Sequence, residues 1–226
     1  MAALAERYGL PAPAERQLEA LLDVLTNDPL APTTIDAARA VDDHLADSLV
    51  ALEFEEVRAA TTIADLGSGA GLPGLPLAIA LPTANVHLVE SATRKCEFLR
   101  RGVRACDLSN VEVVHARIEE WTASVDLVTA RALAPLEVVV EYAAPLLRVG
   151  GALVAWRGQR DPEGESAAEK AAEILGIEVG DIRAVHPYRA ARNRHLHLMW
   201  KVMETPSGFP RRPGIATKRP LGSAKA

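Results

Sequence analysis

The sequence has few cysteines, which can crosslink a fold or bind a metal. It contains two cysteines, Cys96 and Cys106, and no C-x-x-C pair. Both cysteines fall in one predicted helical region, ten positions apart, where they cannot easily form a disulfide. This scarcity indicates a reducing compartment, and we expect no bound metal.

The chain also lacks long apolar runs. None approaches the roughly 20 residues that a membrane-spanning helix needs, and no basic segment precedes an apolar one near the N-terminus, as it would in a secretory signal. We therefore expect a cytoplasmic protein without a membrane partner. Because 49% of the 226 residues are apolar, wholesale disorder is excluded, and one α/β domain with a sizeable core is expected.

The most informative feature present is a glycine-rich loop. An apolar run over residues 62–66 carries Asp65 near its end and leads into Gly67-Ser68-Gly69-Ala70-Gly71. Glycines let a backbone approach a ligand closely and adopt positive φ. Pro73 suits the first turn of a following helix. A strand, a glycine loop and a helix start together predict a nucleotide pocket into which free N–H groups point.

The pattern leaves more than one nucleotide open. Gly69, Gly71 and Gly74 fit the dinucleotide fingerprint G-x-G-x-x-G, and Glu90 follows Gly71 by 19 residues, as a ribose-binding acid does. Such an acid is expected in a dehydrogenase and in an S-adenosylmethionine enzyme alike. Because the motif starts earlier, at Asp65, the methyl-donor loop is the better match. A nicotinamide or flavin site and a purely structural turn are the alternatives.

Apolar and helical segments alternate along the chain. Strands are predicted at 62–66, 85–90, 111–115, 125–130, 151–157, 177–186 and 195–203, and helices at 73–81, 93–105, 135–146 and 163–175. This alternation predicts a mostly parallel sheet covered on both faces. We expect an α/β, Rossmann-like, seven-stranded fold of the class I S-adenosylmethionine-dependent methyltransferase type, with 195–201 as a half-buried edge strand.

The two ends of the chain differ from this central core (59–204). Helices over 14–28 and 36–58 predict an N-terminal helical cap (1–58) that belongs to the same domain. Residues 205–226 contain four prolines and three glycines, which predicts an extended arm without a helix.

Basic residues are concentrated toward the C-terminus. From Arg189 onward nine basic residues accompany one acid, Glu204, which gives this segment a net charge of +8. Since the whole chain carries −5, the first 188 residues carry −13. A basic end on an acidic body suits a polyanionic partner, and a merely solvated tail is the alternative.

Several short motifs together resemble one family, the bacterial 16S ribosomal RNA guanine-N7 methyltransferases, also called glucose-inhibited division protein B. The motifs are His44–Leu49, Asp65–Gly74, Arg117–Glu120, Arg131-Ala132, Trp156–Gln159, Arg194–Leu196, Pro210–Gly214 and Lys218–Leu221. The chain departs from the family at Glu90, where aspartate is common, and at Arg157, where lysine is frequent. The resemblance implies S-adenosyl-L-methionine as cofactor and 16S ribosomal RNA or the small subunit as partner. We also expect a monomer.

The resemblance also implies roles for individual residues. The donor set is Asp65, Gly67, Gly69, Gly71 and Leu72 around the methionine part, Glu90 and Ser91 at the ribose, Ile118 and Glu119 at the adenine, and Arg131 where donor and acceptor meet. The expected RNA-binding set is Arg157, Arg192, Arg194, Arg211, Arg212, Lys218 and Arg219. His44, Asp47 and Ser48 share one helix face; we reject a hydrolase triad there, and expect the helix to pack on the pocket or contact RNA.

Transfer to guanine N7 would need no general base, because this nitrogen already has an in-plane lone pair. Positioning and desolvation would then be the main tasks of the protein, with Arg131 as a positioning residue. Other functions stay open. A non-catalytic, donor-binding RNA or ribosome assembly factor would share the pocket. A nicotinamide-dependent oxidoreductase would need a tyrosine with a lysine four residues later, which is absent. A small-molecule methyltransferase would leave the basic arm without a purpose.

Overall fold

Seven strands form one sheet in the order β3-β2-β1-β4-β5-β7-β6 in a computed structural model that describes residues 1–32, 36 and 38–222. The strands are β1 (Thr62–Leu66), β2 (Asn85–Glu90), β3 (Val111–His115), β4 (Val125–Arg131), β5 (Leu147–Arg157), β6 (Ile177–Ala184) and β7 (His195–Lys201). The first five strands are parallel to one another, whereas β7 runs antiparallel to both β5 and β6.

Helices cover both faces of this sheet. They are α1 (Ala2–Tyr8), α2 (Ala14–Asn27), α3 (Asp47–Leu49), α4 (Glu55–Ala59), α5 (Gly74–Ala80), α6 (Thr93–Ala105), α7 (Leu136–Ala143), α8 (Pro162–Leu175) and α9 (Ile215–Lys218). A π-helical turn (Val41–Ala46) leads into α3, and 3₁₀ turns follow at Val50–Glu53 and Ile118–Glu120.

Period-two side-chain alternation divides the core between the two faces. In β1, Ile63 packs with the N-terminal helices, α5 and α6, whereas its neighbour Ala64 packs with α7 and α8. Leu18 and Leu21 of α2 are fully buried in the first of these cores. The N-terminal helices therefore share one core with the sheet and cover the face that α7 and α8 leave open.

The predicted class of fold is confirmed, but the placement of the last strands is wrong in one respect. β7 is an interior strand between β5 and β6, and β6 is the edge. The polar residues of β7 misled the prediction, because His197 and Lys201 are almost fully buried instead of facing solvent. Burial is tolerated because the Lys201 ammonium donates to the Leu175 carbonyl oxygen at 2.6 Å.

The helical cap is more broken than predicted. The first predicted helix is present as α2, and α1 precedes it unpredicted. The predicted helix 36–58 includes Ala37, which lies outside the described residues; from Val41 it consists of the π-helical turn, α3, a 3₁₀ turn and α4. Phe54, with extended backbone (φ −95°, ψ 135°), separates the last two pieces.

The predicted extended arm contains a helix, so that part of the prediction is wrong. Ile215-Ala216-Thr217-Lys218 has neither proline nor glycine, and it forms α9 after Gly214, whose φ of +78° turns the chain. Ala216 is buried against α7. Ser223–Ala226 of the predicted arm lie outside the described residues.

Within the described ranges, no helix is both long and apolar enough to cross a membrane. Over the same residues, no group of three or more histidine, cysteine or carboxylate side chains is arranged to hold a metal ion.

Candidate functional site

Two cavities open at the carboxyl ends of the parallel strands. β1 and β4 are neighbours there, and the strand order departs in opposite directions from them, which is where open α/β sheets bind ligands. We call the two cavities the glycine-loop cavity, which is lined by Gly67 and Glu90, and the arginine cavity, which is lined by Arg131 and Arg194. Ala132, directly after β4, lines both, so the two cavities meet at this residue.

The glycine-loop cavity has a volume of about 380 Å³ and brings together half of the predicted donor residues. These are Gly67, Glu90, Ser91, Ile118 and Glu119. They come from the ends of β1, β2 and β3, which lie side by side in the sheet. Consecutive carboxyl ends of parallel strands thus assemble residues that are far apart in the sequence.

Glu90 is held in place at the end of β2. Its Oε1 accepts from the Ala92 N–H at 2.9 Å, and its Oε2 accepts from the Gly69 N–H at 3.1 Å. Lys95 Nζ lies 3.8 Å from Oε2. Because a carboxylate has about four lone-pair positions, Glu90 can accept two further hydrogen bonds, and it lines the cavity. This arrangement fits a pair of ribose hydroxyls.

Gly67 leaves room that a larger residue would fill. Its φ is +63°, and a Cβ atom there would lie 2.5 Å from Leu133 Cδ1. Leu133 and Ile118 both line the cavity and give it an apolar side. An apolar wall beside a few fixed polar groups is the usual construction of a site for a nucleoside.

Asp65, Gly71 and Leu72, which were also predicted to hold the donor, are buried and do not line the cavity. A Cβ atom at Gly71 would lie 2.4 Å from Leu75 Cδ1, so this glycine permits close packing of loop and helix. Leu72 is buried, and Asp65 is 1% exposed. Asp65 Oδ1 accepts from the Thr129 hydroxyl at 2.8 Å. These contacts hold the loop in position.

Burial also alters the acidity of Asp65. It raises the pKa of this carboxyl to about 6, although the hydrogen bond from Thr129 opposes the shift.

Asp47 contacts several other residues of the arginine cavity, which has a volume of about 470 Å³. Its Oδ2 accepts from Arg131 Nη1 at 2.9 Å, and its main-chain oxygen accepts from Trp156 Nε1 at 2.7 Å. Arg194 Nε lies 3.6 Å from Asp47 Oδ1, within ion-pair range but beyond a hydrogen bond. Asp47 therefore contacts residues at the ends of β4 and β5 and a residue just before β7.

Neighbouring groups extend this network. Arg194 also approaches Asp43 at 3.7 Å, and its hydrogen bond with Tyr188, helped by both aspartates, raises its pKa. His44 lines the cavity too, and burial, with Arg131 nearby, lowers its pKa. The Ser48 hydroxyl donates to the His44 carbonyl oxygen at 2.6 Å. That bond engages the Ser48 proton, in agreement with the rejection of a hydrolase triad.

Arg131 and the predicted RNA-binding residues fall into three places. Arg131, Arg157 and Arg194 line the arginine cavity. Arg192 donates to the main-chain oxygens of Arg189 and Ala191. The remaining residues are in the arm, where Arg212, Lys218 and Arg219 are exposed but Arg211 pairs with the buried Glu141.

Other residues of the glycine-loop cavity escaped sequence reasoning. Lys95, Arg117, Tyr142, Gly214 and Thr217 all line it. Arg117 belonged to a recognised motif, but its place beside the donor residues was not foreseen. The last three come from α7 and the arm, and no spacing in the sequence indicates that these segments return to the glycine loop.

Solved structures share the fold. The sheet resembles fibrillarin of Aeropyrum pernix in complex with S-adenosyl-L-methionine, with a TM-score of 0.53 and 22% identity over 68% of this chain and 72% of that one. It also resembles the mitomycin 7-O-methyltransferase MmcR, with a TM-score of 0.61 and 15% identity over 89% and 72%. The chain therefore has the class I S-adenosylmethionine-dependent methyltransferase fold.

Sequence relatives are closer. A protein of Chloroflexus aggregans named ribosomal RNA small subunit methyltransferase G is 42% identical over 95% of this chain and 94% of its own length. A Rubrobacter xylanophilus protein of the same name is 42% identical over 79% and 72%. The GidB family model, described as rRNA small subunit methyltransferase G, matches residues 17–196. The chain belongs to the GidB family of ribosomal RNA small subunit methyltransferases.

Proposed function

We propose that this protein transfers a methyl group from S-adenosyl-L-methionine to N7 of a guanine in the 16S ribosomal RNA of the small subunit. One observation carries the proposal: a cavity fitted for a nucleoside donor and a cavity lined by arginines meet at Ala132. The names of the sequence relatives support the ribosomal RNA substrate. In this account the protein works as a monomer in the cytoplasm.

The glycine-loop cavity holds the donor in this proposal. S-adenosylmethionine supplies an electrophilic methyl group on a sulfonium centre. Glu90 accepts from the ribose hydroxyls, Ile118 and Leu133 contact the adenine, and the Gly67 backbone closes on the methionine part. Asp65 and Gly71 act by holding the loop in position.

The arginine cavity needs no general base for attack by N7, since that nitrogen carries a free lone pair. The carboxylates that line it are engaged, Asp47 by Arg131 and Asp43 by Tyr188. The task left to the protein is to orient the guanine and exclude water. An arginine bound to both O6 and N7 would block the reacting atom. We therefore assign Arg131, Arg157 and Arg194 to phosphates or to the donor, and the guanine to contacts on its other edge.

Methyl transfer with a matched pair of variants tests the proposal. Radiolabelled S-adenosylmethionine is offered to small-subunit RNA, and to whole small subunits, from cells that lack this protein. We expect label in the RNA with the wild-type protein and its loss with Glu90→Ala. Glu112→Ala, which removes an exposed carboxylate on the neighbouring strand β3, should retain transfer.

Each other result points elsewhere. Donor binding without label in either RNA form contradicts the catalytic proposal and favours an assembly factor. No donor binding at all favours the nicotinamide alternative. Equal labelling by wild type and Glu90→Ala contradicts the assignment of the donor to the glycine-loop cavity.

A further inference from the structure

Part of the C-terminal arm, within Pro210–Gly222, forms one wall of the glycine-loop cavity. Gly214 and Thr217 line this cavity beside Glu119 and Tyr142. The Gly214 N–H donates to Glu119 Oε1 at 2.8 Å, and the hydroxyls of Thr217 and Tyr142 lie 3.3 Å apart.

Buried contacts dock this arm against α7 and α8. The Arg211 guanidinium makes two hydrogen bonds to the carboxylate of Glu141, whose side chain is 2% exposed. At the far end Gly222 packs so closely that a Cβ atom there would lie 2.2 Å from the Ala167 carbonyl oxygen. The arm therefore has a defined position over the cavity, set by anchors on both sides of Gly214 and Thr217.

The outer surface of the arm is basic. Lys218 and Arg219 directly follow Thr217, and both are exposed. Arg211 also donates to the Arg219 carbonyl oxygen at 2.9 Å, so the anchored and the exposed parts form one unit. A short segment thus presents one side to the glycine-loop cavity and basic side chains to solvent.

We propose that the arm couples the two substrates by contacting both. Donor in the glycine-loop cavity packs against Gly214 and Thr217 and fixes the arm, and RNA phosphates bound by Lys218 and Arg219 hold the same arm against the donor. Because such coupling is reciprocal, each substrate raises the affinity for the other by the same factor. The coupling rests on the proposed function, which assigns the donor to the glycine-loop cavity and RNA as the acceptor. The contact of the arm with the donor can be tested without RNA.

Donor affinity in the absence of RNA tests the wall. S-adenosylhomocysteine is titrated calorimetrically into full-length variants: Thr217→Val, which keeps the side-chain shape, and the double change Arg211→Gln with Glu141→Gln, which removes the anchor without leaving a charge unpaired. We expect each to bind about fivefold more weakly or worse. Arg148→Gln is the control, because it breaks an ion pair with Asp126 at the opposite end of the sheet.

Hydrogen exchange gives a second measure that does not depend on the stability of a variant. In the wild-type protein, S-adenosylhomocysteine should slow amide exchange over residues 214–218. Unchanged exchange there, or unchanged affinity in both arm variants, overturns the arm as part of the donor site.

RNA added to the same titration tests the coupling. Unmethylated small-subunit ribosomal RNA should tighten S-adenosylhomocysteine binding to the wild type by about fivefold, within the usual range of coupling between sites. Lys218→Ala combined with Arg219→Ala should lose this enhancement. Donor affinity that RNA leaves unchanged in the wild type, or an enhancement that the double variant keeps, overturns the coupling. Weakened donor binding in the arm variants together with no RNA methylation contradicts the proposed function but supports the wall, so the two failures are distinguishable.

Discussion

Asp47 and Arg131, 84 residues apart in the chain, form an ion pair with 2.9 Å between Oδ2 and Nη1. Their side chains are only 6% and 17% exposed. The pair joins the N-terminal cap to the end of β4, one residue before the point where the two cavities meet. The cap thereby contributes directly to the arginine cavity through Asp47.

Replacing Asp47 should damage both stability and transfer. Asp47→Asn leaves the partly buried Arg131 charge without its partner, and we expect the free energy of unfolding to fall by about 2 kcal/mol. Because Arg131 loses its orientation, kcat should fall more than tenfold. Denaturant unfolding and steady-state methylation kinetics measure the two effects.

The matched control is Asp181→Asn, which removes a carboxylate from an exposed pair with Arg183. Such pairs contribute less than about 1 kcal/mol, so neither stability nor kcat should change noticeably. Equal effects of the two substitutions would contradict a special role for Asp47.

Donor binding should require glycine at position 67 for its lack of a side chain as well as for its backbone conformation. Gly67→Ala and Gly9→Ala each place a side chain at a φ of +63°, but only at Gly67 would the new Cβ meet a neighbour, Leu133. Both should lose about 1 kcal/mol of stability from backbone strain. Only Gly67→Ala should weaken S-adenosylhomocysteine binding, by about tenfold, measured by calorimetry. Unimpaired binding by Gly67→Ala would place the donor elsewhere.

The sequence was sufficient to predict the alternation of the seven strands with α5, α6, α7 and α8, because each parallel strand is a short, mostly apolar run with turn residues at its ends. It was insufficient for β7, where Lys201 and His197 are polar yet buried. Period-two alternation predicts which residues share a face of the strand. It does not predict whether a polar face meets water or finds partners such as the Leu175 carbonyl oxygen.

In the candidate site, too, local features could be predicted from the sequence and long-range contacts could not. Glu90 and Gly67 could be predicted from local spacing, because one loop and the next strand carry them. Thr217 could not, since its place in the glycine-loop cavity depends on how the arm folds back over α7. The contacts of Asp47 with Arg131 and Trp156 likewise depend on strands that are distant in the sequence and close in the fold.

Asp65 should make stability fall as pH rises. Its pKa in the folded state is about 6, compared with 3.8 ordinarily, so the folded protein keeps this proton at pH values where the unfolded chain has lost it. The free energy of unfolding therefore decreases from about pH 4 to about pH 6 and stays lowered above, by about 3 kcal/mol in all. Asp65→Asn should lack this contribution.

The measurement is the difference in unfolding free energy between Asp65→Asn and the wild type at pH 4 and pH 7. The difference is needed because burial lowers the pKa of His197 to about 4, and this residue titrates over the same range with the opposite effect. A difference that does not change with pH would contradict the raised pKa of Asp65.

RNA binding should depend steeply on salt if the arm and the arginine cavity contact phosphates. For each phosphate contact to single-stranded RNA, the logarithm of affinity falls with that of salt concentration with a slope of about −0.7. Lys218→Ala and Arg157→Ala should therefore each make the slope less steep by about 0.7, the contribution of one phosphate contact. Filter binding between about 50 and 200 mM salt measures the slope. A flat dependence in the wild type would contradict phosphate recognition.

The position of the methyl group tests the account most directly. Small-subunit RNA from cells lacking the protein is incubated with wild-type protein and S-adenosylmethionine, and guanine N7 methylation is located by borohydride reduction, aniline cleavage and primer extension. The account predicts one new cleavage site that requires both Glu90 and Asp47. Methylation at another atom, or cleavage at many unrelated guanines, would contradict an arginine cavity that orients a single guanine toward the donor.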